Sequence, residues 1–436
     1  MFTATIPAIA YRDPWCQSQE DRLAALLRPA ARRVAYLYEL PDTSTFRYRC
    51  YNMVQALESE RDIAAAWFVR ADAPALLPLL DRCDTLVVCR VRYDDTVAHL
   101  LARARQLGVD TVFDCDDLVF DPDYVHLVLH TLDQIMVEKA WDTWFASIGR
   151  IGATMRQCGR AIVTNDFLAD RLRAAAPGKD VRVVPNFLDR EQLAVSLPLY
   201  EAKRRGGFAR DGRIHVGYFS GTPTHSHDFA IVEEALANLL RDDPRVVLRL
   251  VGFLRPSAAL AAFAHRIERV PLQDFLNLQR LIGGVEFNIV PLCANDFTNC
   301  KSELKYFEAA IVGTATLAAP THAFRAAMAD GDNGWLVPSY GWEKALRTAL
   351  ATLDDYGAVA ERAFAHAHTC YSPRAMVPAI RAALFGPADQ VQSLSSAPSA
   401  PSTGSAAGSG TAALARRAAA YSAGSPRFVS NAPPAG

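Results

Sequence analysis

Charge imbalance, paired cysteines and long apolar runs are all scarce in this chain of 436 residues, and each absence removes a class of protein. Its 46 basic and 47 acidic residues leave a formal net charge of -1, so no electrostatic footprint for nucleic acid exists, although residues 28–33 and 203–205 form small basic patches. The nine cysteines include no Cys-x-x-Cys pair, and Cys89 and Cys115 lie in or beside strand-like runs. Reduced core thiols and no zinc site are therefore expected. No run of 18 apolar residues occurs, and the start MFTATIPAIAYRDPW lacks a basic stretch leading into a long apolar one. Neither a membrane span nor a signal peptide is expected, and a cytoplasmic location follows, with peripheral contact at the inner membrane surface left open. No Gly-x-Gly-x-x-Gly follows an early strand, which counts against a nicotinamide-dependent dehydrogenase, and no Gly-Lys-Ser/Thr supplies a P-loop.

What is present is apolar and periodic. Half of the residues are hydrophobic, enough at this length to bury the cores of two globular domains. Short β-rich runs at 34–38, 63–69, 85–89, 111–113, 161–164 and 181–184 alternate with helical stretches. The stretch 122–158, with Trp141, Trp144, Phe145 and Ile148 at helical spacing, reads as one or two helices over the sheet. A Gly/Arg-rich segment, 203–212, reads as a linker. A second series follows: strand 214–219, helix 228–240, strand 246–251, helices 258–267 and 272–282, and strand 285–290. This is the rhythm of two doubly wound α/β domains facing a cleft, with ligand at the carboxyl ends of the strands. Residues 1–33 form an N-terminal extension, and 387–436, rich in Ala, Ser, Pro and Gly, reads as a disordered tail.

The most informative stretch is 299–337. Polar Thr298 and Asn299 are candidate N-caps and Gly313 a candidate C-cap for a helix over 302–312. On it Leu304, Phe307 and Ile311 form a core-facing stripe, while Lys301, Lys305 and Glu308 share another face. A strand at 314–318, a turn at Pro320, a short helix through Met328, the loop Asp330-Gly331-Asp332-Asn333-Gly334 and a small strand at 335–337 follow. The helix start, with its free amides and two lysines, favours an anion such as a diphosphate. The competing reading is a solvated ion-pair face, worth only ~0.3 to 0.5 kcal/mol per pair.

These residues resemble the C-terminal half of the retaining glycosyltransferases of the GT-B fold, the large family 4 (glycosyl transferases group 1), whose pattern runs E-x7-E, then "EAMA-G-PVV", then "DG-NG-LV". Glu308-Ala309-Ala310, Gly313 and the run from Asp330 to Val337 match it, and "VVPNFLD" around Pro185-Asn186 resembles the "V-PNG-D" that closes the first domain. The resemblance implies an acceptor domain over 34–200, a nucleotide-sugar donor domain over 212–370, and a helix in 371–386 crossing back to the first. It implies transfer of a sugar, with retention, from a UDP-, GDP- or dTDP-sugar to a glycan, lipid-linked or protein acceptor, as in bacterial surface polysaccharide synthesis, without an obligatory metal or cofactor. Glu308 would hold the ribose, and Lys301, Ser302, Glu303 and Leu304 would surround the diphosphate or sugar. The family's first glutamate falls on Cys300, where this chain departs from the pattern. A catalytically degenerate sugar-binding or scaffold protein is the alternative.

Further candidates surround this core. The turn after the first strand of the second domain offers Gly221, Thr222 and His225 (or His227) as a donor loop, and Asn295, Asp296 and Thr298 would sit beside the diphosphate; both segments also read as plain polar turns. Asp114-Cys115-Asp116-Asp117 contains the Asp-x-Asp spacing that holds a divalent cation in another glycosyltransferase class. At a strand's carboxyl end in a GT-B protein, Asp116 and Asp117 instead orient acceptor hydroxyls or stabilise positive charge on the sugar; N-capping competes with both readings. Lys305 completes the expected catalytic set by stabilising the departing diphosphate. Arg47 and Arg49, after the first strand, either neutralise a phosphate or point to solvent.

Overall fold

Strands such as Ile63–Val69 (IAAAWFV) carry no polar alternation, as expected of parallel strands covered on both faces. The computed structural model, which describes residues 1–131, 137–221, 226–254 and 257–386, assembles these runs into two all-parallel six-stranded sheets. The first contains β1 (Arg32–Tyr38), β2 (Ile63–Val69), β3 (Thr85–Cys89), β4 (Asp110–Cys115), β5 (Arg160–Val163) and β6 (Asp180–Val183), in the order β2-β1-β3-β4-β5-β6. The second contains β7 (Ile214–Ser220), β8 (Val246–Gly252), β9 (Ile267–Val270), β10 (Phe287–Val290), β11 (Ala315–Ala318) and β12 (Trp335–Leu336), in the order β12-β11-β10-β7-β8-β9. Helices between the strands cover the faces, and Leu37, Phe68, Val88, Leu248, Phe287 and Leu317 are fully buried. Each such side chain contributes about 1.5–3 kcal/mol through burial.

This strand order locates the place for a ligand. In each sheet the winding direction reverses once, between β1 and β3 and between β7 and β10. The loops leaving those strands diverge and open a crevice at their carboxyl ends. Residues 44–49 follow β1, residue 90 follows β3, Gly221 follows β7 and residues 291–308 follow β10. Backbones crowd there: Gly252, at φ +102, ends β8 with Ser220 O only 1.9 Å from where its Cβ would stand. No side chain fits at that point.

Both ends of the described chain tie the lobes together. Phe2 is buried against Phe208 and Tyr356 of the second lobe, and Trp15 stacks on Phe275 and meets Phe46 of the first edge-on. The helix Pro373–Phe385 lies on the first sheet's side, where Arg160 donates to Ala383 O and Leu384 O, and Arg381 pairs with Asp62 at 2.8 Å. Guanidinium groups thus satisfy carbonyls that the helix end leaves open.

Local expectations shift in three places. The helix expected over 258–267 stops at Ala261, and Ile267 instead opens β9, a short edge strand paired with β8. Thr298 and Asn299 do not cap the Glu308 helix; they belong to a separate turn, Asp296–Asn299, and the later helix runs only over Leu304–Ala310. Residues 203–205 are not linker, because the helix Arg190–Arg205 continues through them. The expected tail, 387–436, lies outside the described residues.

Lys203 explains why that helix persists. Its side chain is 1% exposed, and Nζ donates to Gly283 O (3.0 Å), Val312 O (2.7 Å) and Gly313 O (2.8 Å). It therefore closes two helix ends at once, including the one that carries Glu308, where Gly313 turns the chain at φ +63. Burial pulls the amine well below the usual lysine range. Lys203→Met is expected to strand these carbonyls and to cost about 3 kcal/mol. Urea unfolding measures it, and a variant as stable as the parent contradicts the capping role.

Candidate active site in the interlobe cleft

Glu308, on the helix following β10, is 5% exposed and sits at the seam between the lobes. A buried carboxylate needs partners, and here they come from outside its own lobe. Its Oε1 accepts from Arg47 Nη2 (3.2 Å), from Gln192 Nε2 (2.9 Å) and from the Tyr48 hydroxyl. Arg47 and Tyr48 open a π-helical turn, Arg47–Tyr51, after β1. Arg47 also pairs with Asp189 Oδ2 at 3.2 Å and lies over the rings of Tyr48 and Phe275. Asp189 caps the helix Arg190–Arg205 in a reciprocal box with Gln192, which fixes the glutamine toward Glu308. Burial pushes the Asp189 carboxyl up to about 6, against the pull of Arg47.

Two lysines flank Glu308. Lys305 is partly buried, its Nζ 5.3 Å from the Tyr218 ring centroid, and burial lowers its pKa to about 8 although Asp228 draws it upward. Asp228 in turn accepts from the Cys293 amide at 2.8 Å. Lys301 reaches Asp117 Oδ1 at 3.7 Å and lies 4.5 Å over Phe297. Asn186 donates to Ser302 Oγ at 3.2 Å, and Asn165 donates to Cys300 O at 2.9 Å. Both asparagines leave the first sheet at its carboxyl end, so the seam is closed by hydrogen bonds on both sides of Lys301.

Across the seam stand Asp116 and Asp117, at the end of β4. Arg90 Nη1 contacts Asp116 Oδ1 (2.7 Å), Thr45 Oγ1 (2.7 Å) and Asp117 Oδ2 (3.5 Å), and Thr45 donates to Asp116 Oδ2 at 2.9 Å. Burial alone would raise the Asp116 carboxyl; Arg90 overrides it and holds the group below the usual carboxylate range. Arg90 has φ +49, an uncommon left-handed backbone for a residue with a side chain, and such strain gathers at functional sites. Asp114 faces a different guanidinium, accepting from Arg49 Nε (2.7 Å) and Nη2 (2.9 Å). Asp114 and Asp116 therefore do not converge on one shared cation.

The structure brings Asp116, Asp117, Lys301, Ser302, Lys305 and Glu308 together and redirects other expected residues. Arg49, fully buried, gives four of its five N–H donors to Asp114, Val184 O and Asn186 and has no exposed surface to offer a phosphate. Arg47 is buried as well, and its guanidinium is turned to Asp189, Glu308 and Thr43 O. Glu303 is buried with its carboxyl against Tyr371, which leaves it at about 6 through burial, and it turns to the protein rather than to a ligand. Thr298 is fully buried and Asn295 is its capping partner, so both side chains serve the turn Asp296–Asn299. The Leu304 amide is taken by Ser302 Oγ at 3.3 Å and its side chain packs on the core. Cys300 is fully buried among first-lobe residues, and burial pushes its thiol up, so it does not replace the family's glutamate. A Cβ at Gly221 would meet no atom within 4 Å. Thr222 and His225 lie outside the described residues; His227 stacks on His130 at 5.0 Å.

Tyr48, Gln192, Arg90, Asn165 and Asp228 are the site residues that sequence reasoning missed. The Asp189-x-x-Gln192 spacing, a capping box, was a usable signal for one of them. Arg90 had none, since backbone sign is not written in a single residue. Arg49→Met is expected to leave Asp114 as an unpaired buried charge and to cost about 3–5 kcal/mol. Denaturant titration checks this, and an unchanged midpoint contradicts the structural role.

No protein-family model and no curated protein matches the chain. Solved structures do. Anabaena HepE in complex with UDP and glucose is 12% identical, at TM-score 0.53, over 78% of this chain and 95% of that one. Sucrose-phosphate synthase from Thermosynechococcus elongatus is 14% identical, at TM-score 0.54, over 80% of this chain and 97% of that one. WaaG, a glycosyltransferase involved in lipopolysaccharide biosynthesis, is 13% identical, at TM-score 0.53, over 81% of this chain and all of that one. Identities this low speak to architecture alone, and the architecture they share with this chain is the GT-B fold, two Rossmann-like lobes on a common seam.

Proposed function

We propose that this chain is a glycosyltransferase that moves a sugar from a nucleotide-diphosphate donor to an acceptor hydroxyl in bacterial surface polysaccharide or glycoconjugate synthesis. The observation that carries the reading is the meeting of Glu308, Lys301 and Lys305, after β10 at the second sheet's switch point, with Arg47 after β1 and with Asp116 and Asp117 in the loop after β4 of the first sheet. Residues 34–200 serve as the acceptor lobe and 212–370 as the donor lobe. UDP bound in HepE and the lipopolysaccharide role of WaaG, both on this fold, support the same substrate classes. The family 4 assignment and a retaining outcome are part of the proposal, on the strength of the sequence pattern around Glu308.

In this reading Glu308 accepts a ribose hydroxyl. A cavity of about 210 Å³ at the ends of β8 and β9, lined by Leu250, Leu254, Arg269, Val270 and Pro271, takes the nucleobase. Lys301 and Lys305 face the diphosphate and stabilise the charge that grows on it as the glycosidic bond breaks. Asp116, kept ionised by Arg90, orients the acceptor hydroxyl or offsets positive charge on the sugar. Closure of the seam excludes water from the transfer.

Turnover of a UDP-, GDP- or dTDP-sugar, lost in Glu308→Ala, is the expected outcome of a donor screen. Nucleotide binding without turnover would favour a degenerate sugar-binding protein, and neither binding nor turnover contradicts both readings. A second expectation concerns pH. The Lys305 amine loses its proton as pH rises through about 8, and with it the charge that attracts a diphosphate. UDP affinity should fall across that range by about tenfold, and Lys305→Met should be weak and flat from pH 6.5 to 9.5. Calorimetry at several pH values measures it; a parent protein with pH-independent affinity argues against the role of Lys305.

A further inference from the structure

We propose that Arg47, Tyr48 and Gln192 are positioning residues for Glu308, holding its Oε1 so that Oε2 alone is presented to the donor. The inference rests on the ribose reading of Glu308 and deepens it. All three donors converge on the same oxygen: Arg47 Nη2 at 3.2 Å, Gln192 Nε2 at 2.9 Å and the Tyr48 hydroxyl. An ionised carboxylate oxygen has about two lone-pair directions, so three donors saturate it. No described residue donates to Oε2, and the side chain keeps 7% of its surface exposed. A carboxylate pinned by one oxygen cannot rotate to satisfy its other oxygen elsewhere, so the free oxygen has a fixed aim.

Each of the three is itself fixed by something that is not ligand. Arg47 is clamped by Asp189 and Thr43 O and lies over Phe275, Gln192 is seated in the capping box with Asp189, and the Tyr48 ring meets Phe307 at 6.3 Å. Arg47 and Tyr48 belong to the first lobe, and Glu308 to the second. The donor lobe's ribose contact is therefore aimed by the acceptor lobe, and it is complete only when the seam is shut. One open oxygen also sets the chemistry of the contact: its two lone-pair directions suit the neighbouring hydroxyls on the sugar of a nucleoside diphosphate.

The test compares UDP with 2′,3′-dideoxy-UDP on the full chain by calorimetry, or GDP with its dideoxy counterpart if GDP binds more tightly. The parent should prefer the hydroxylated nucleotide by about tenfold or more, the range of one hydrogen bond to a charged group. In Tyr48→Phe and in Gln192→Leu the hydroxylated nucleotide should weaken by about tenfold while the dideoxy form stays the same, so that the preference collapses toward one. Equal weakening of both nucleotides assigns these side chains to lobe packing alone and overturns the proposal. So does an unchanged preference, or failure of both variants to fold. A parent that binds both nucleotides equally removes Glu308 from the ribose and overturns this proposal, while nucleotide binding itself stands. A parent that binds no nucleoside diphosphate fails the glycosyltransferase reading first.

Discussion

A buried carboxylate shared between two lobes is the constraint around which this molecule is arranged. Desolvating Glu308 costs several kcal/mol in isolation, and the cost is offset only because Arg47, Tyr48 and Gln192 reach it from outside its lobe. Arg47 is in turn held between Glu308 and Asp189, so the pair becomes a triad of one cation and two acids with a phenol and an amide to complete it. Removing any member leaves another buried and unsatisfied. The network is thus a device that makes the relative placement of the two sheets, and not either sheet alone, set the direction of one oxygen atom.

Everything else delivers that network to the right place. Parallel sheets with one reversal each put loop after loop at the same edge, and the residues after β1, β3 and β4 meet those after β7 and β10. Lys203 closes the end of the Glu308 helix from below, while Asn165 and Asn186 fasten its beginning to the first lobe. The helix between is short, Leu304–Ala310, and its rigidity comes from these outside ties rather than from its own length. Among the described charged groups that line the seam around Glu308 are two lysines, Lys301 and Lys305, and two aspartates, Asp116 and Asp117, a composition suited to a diphosphate on one side and hydroxyls on the other.

The sheets were legible because apolar runs bounded by turn residues have few other uses; every strand of the first sheet lies where such a run predicts one. β9 was not, since Ile267-Glu268-Arg269-Val270 is an edge strand with a polar centre and reads as the tail of the preceding helix. The pattern around Glu308 pointed to the fold that the solved structures share. Side-chain partners were the illegible part. Arg47 and Arg49 are two residues apart and looked alike, yet one pairs with an acid 261 residues away and the other with one 65 away. Nothing local distinguishes a guanidinium aimed at a phosphate from one aimed at a buried aspartate; only the folded sheet decides it. Thr298 and Asn295 misled for a related reason, because the polar side chains that suit a ligand also suit a cap.

The most direct measurement of the central claim is a crystal structure of the protein with UDP bound. The account predicts a ribose hydroxyl within hydrogen-bond distance of Glu308 Oε2, the diphosphate beside Lys301 and Lys305, and Oε1 still held by Arg47, Tyr48 and Gln192. A nucleotide bound elsewhere, or a ribose that leaves Glu308 untouched, contradicts it.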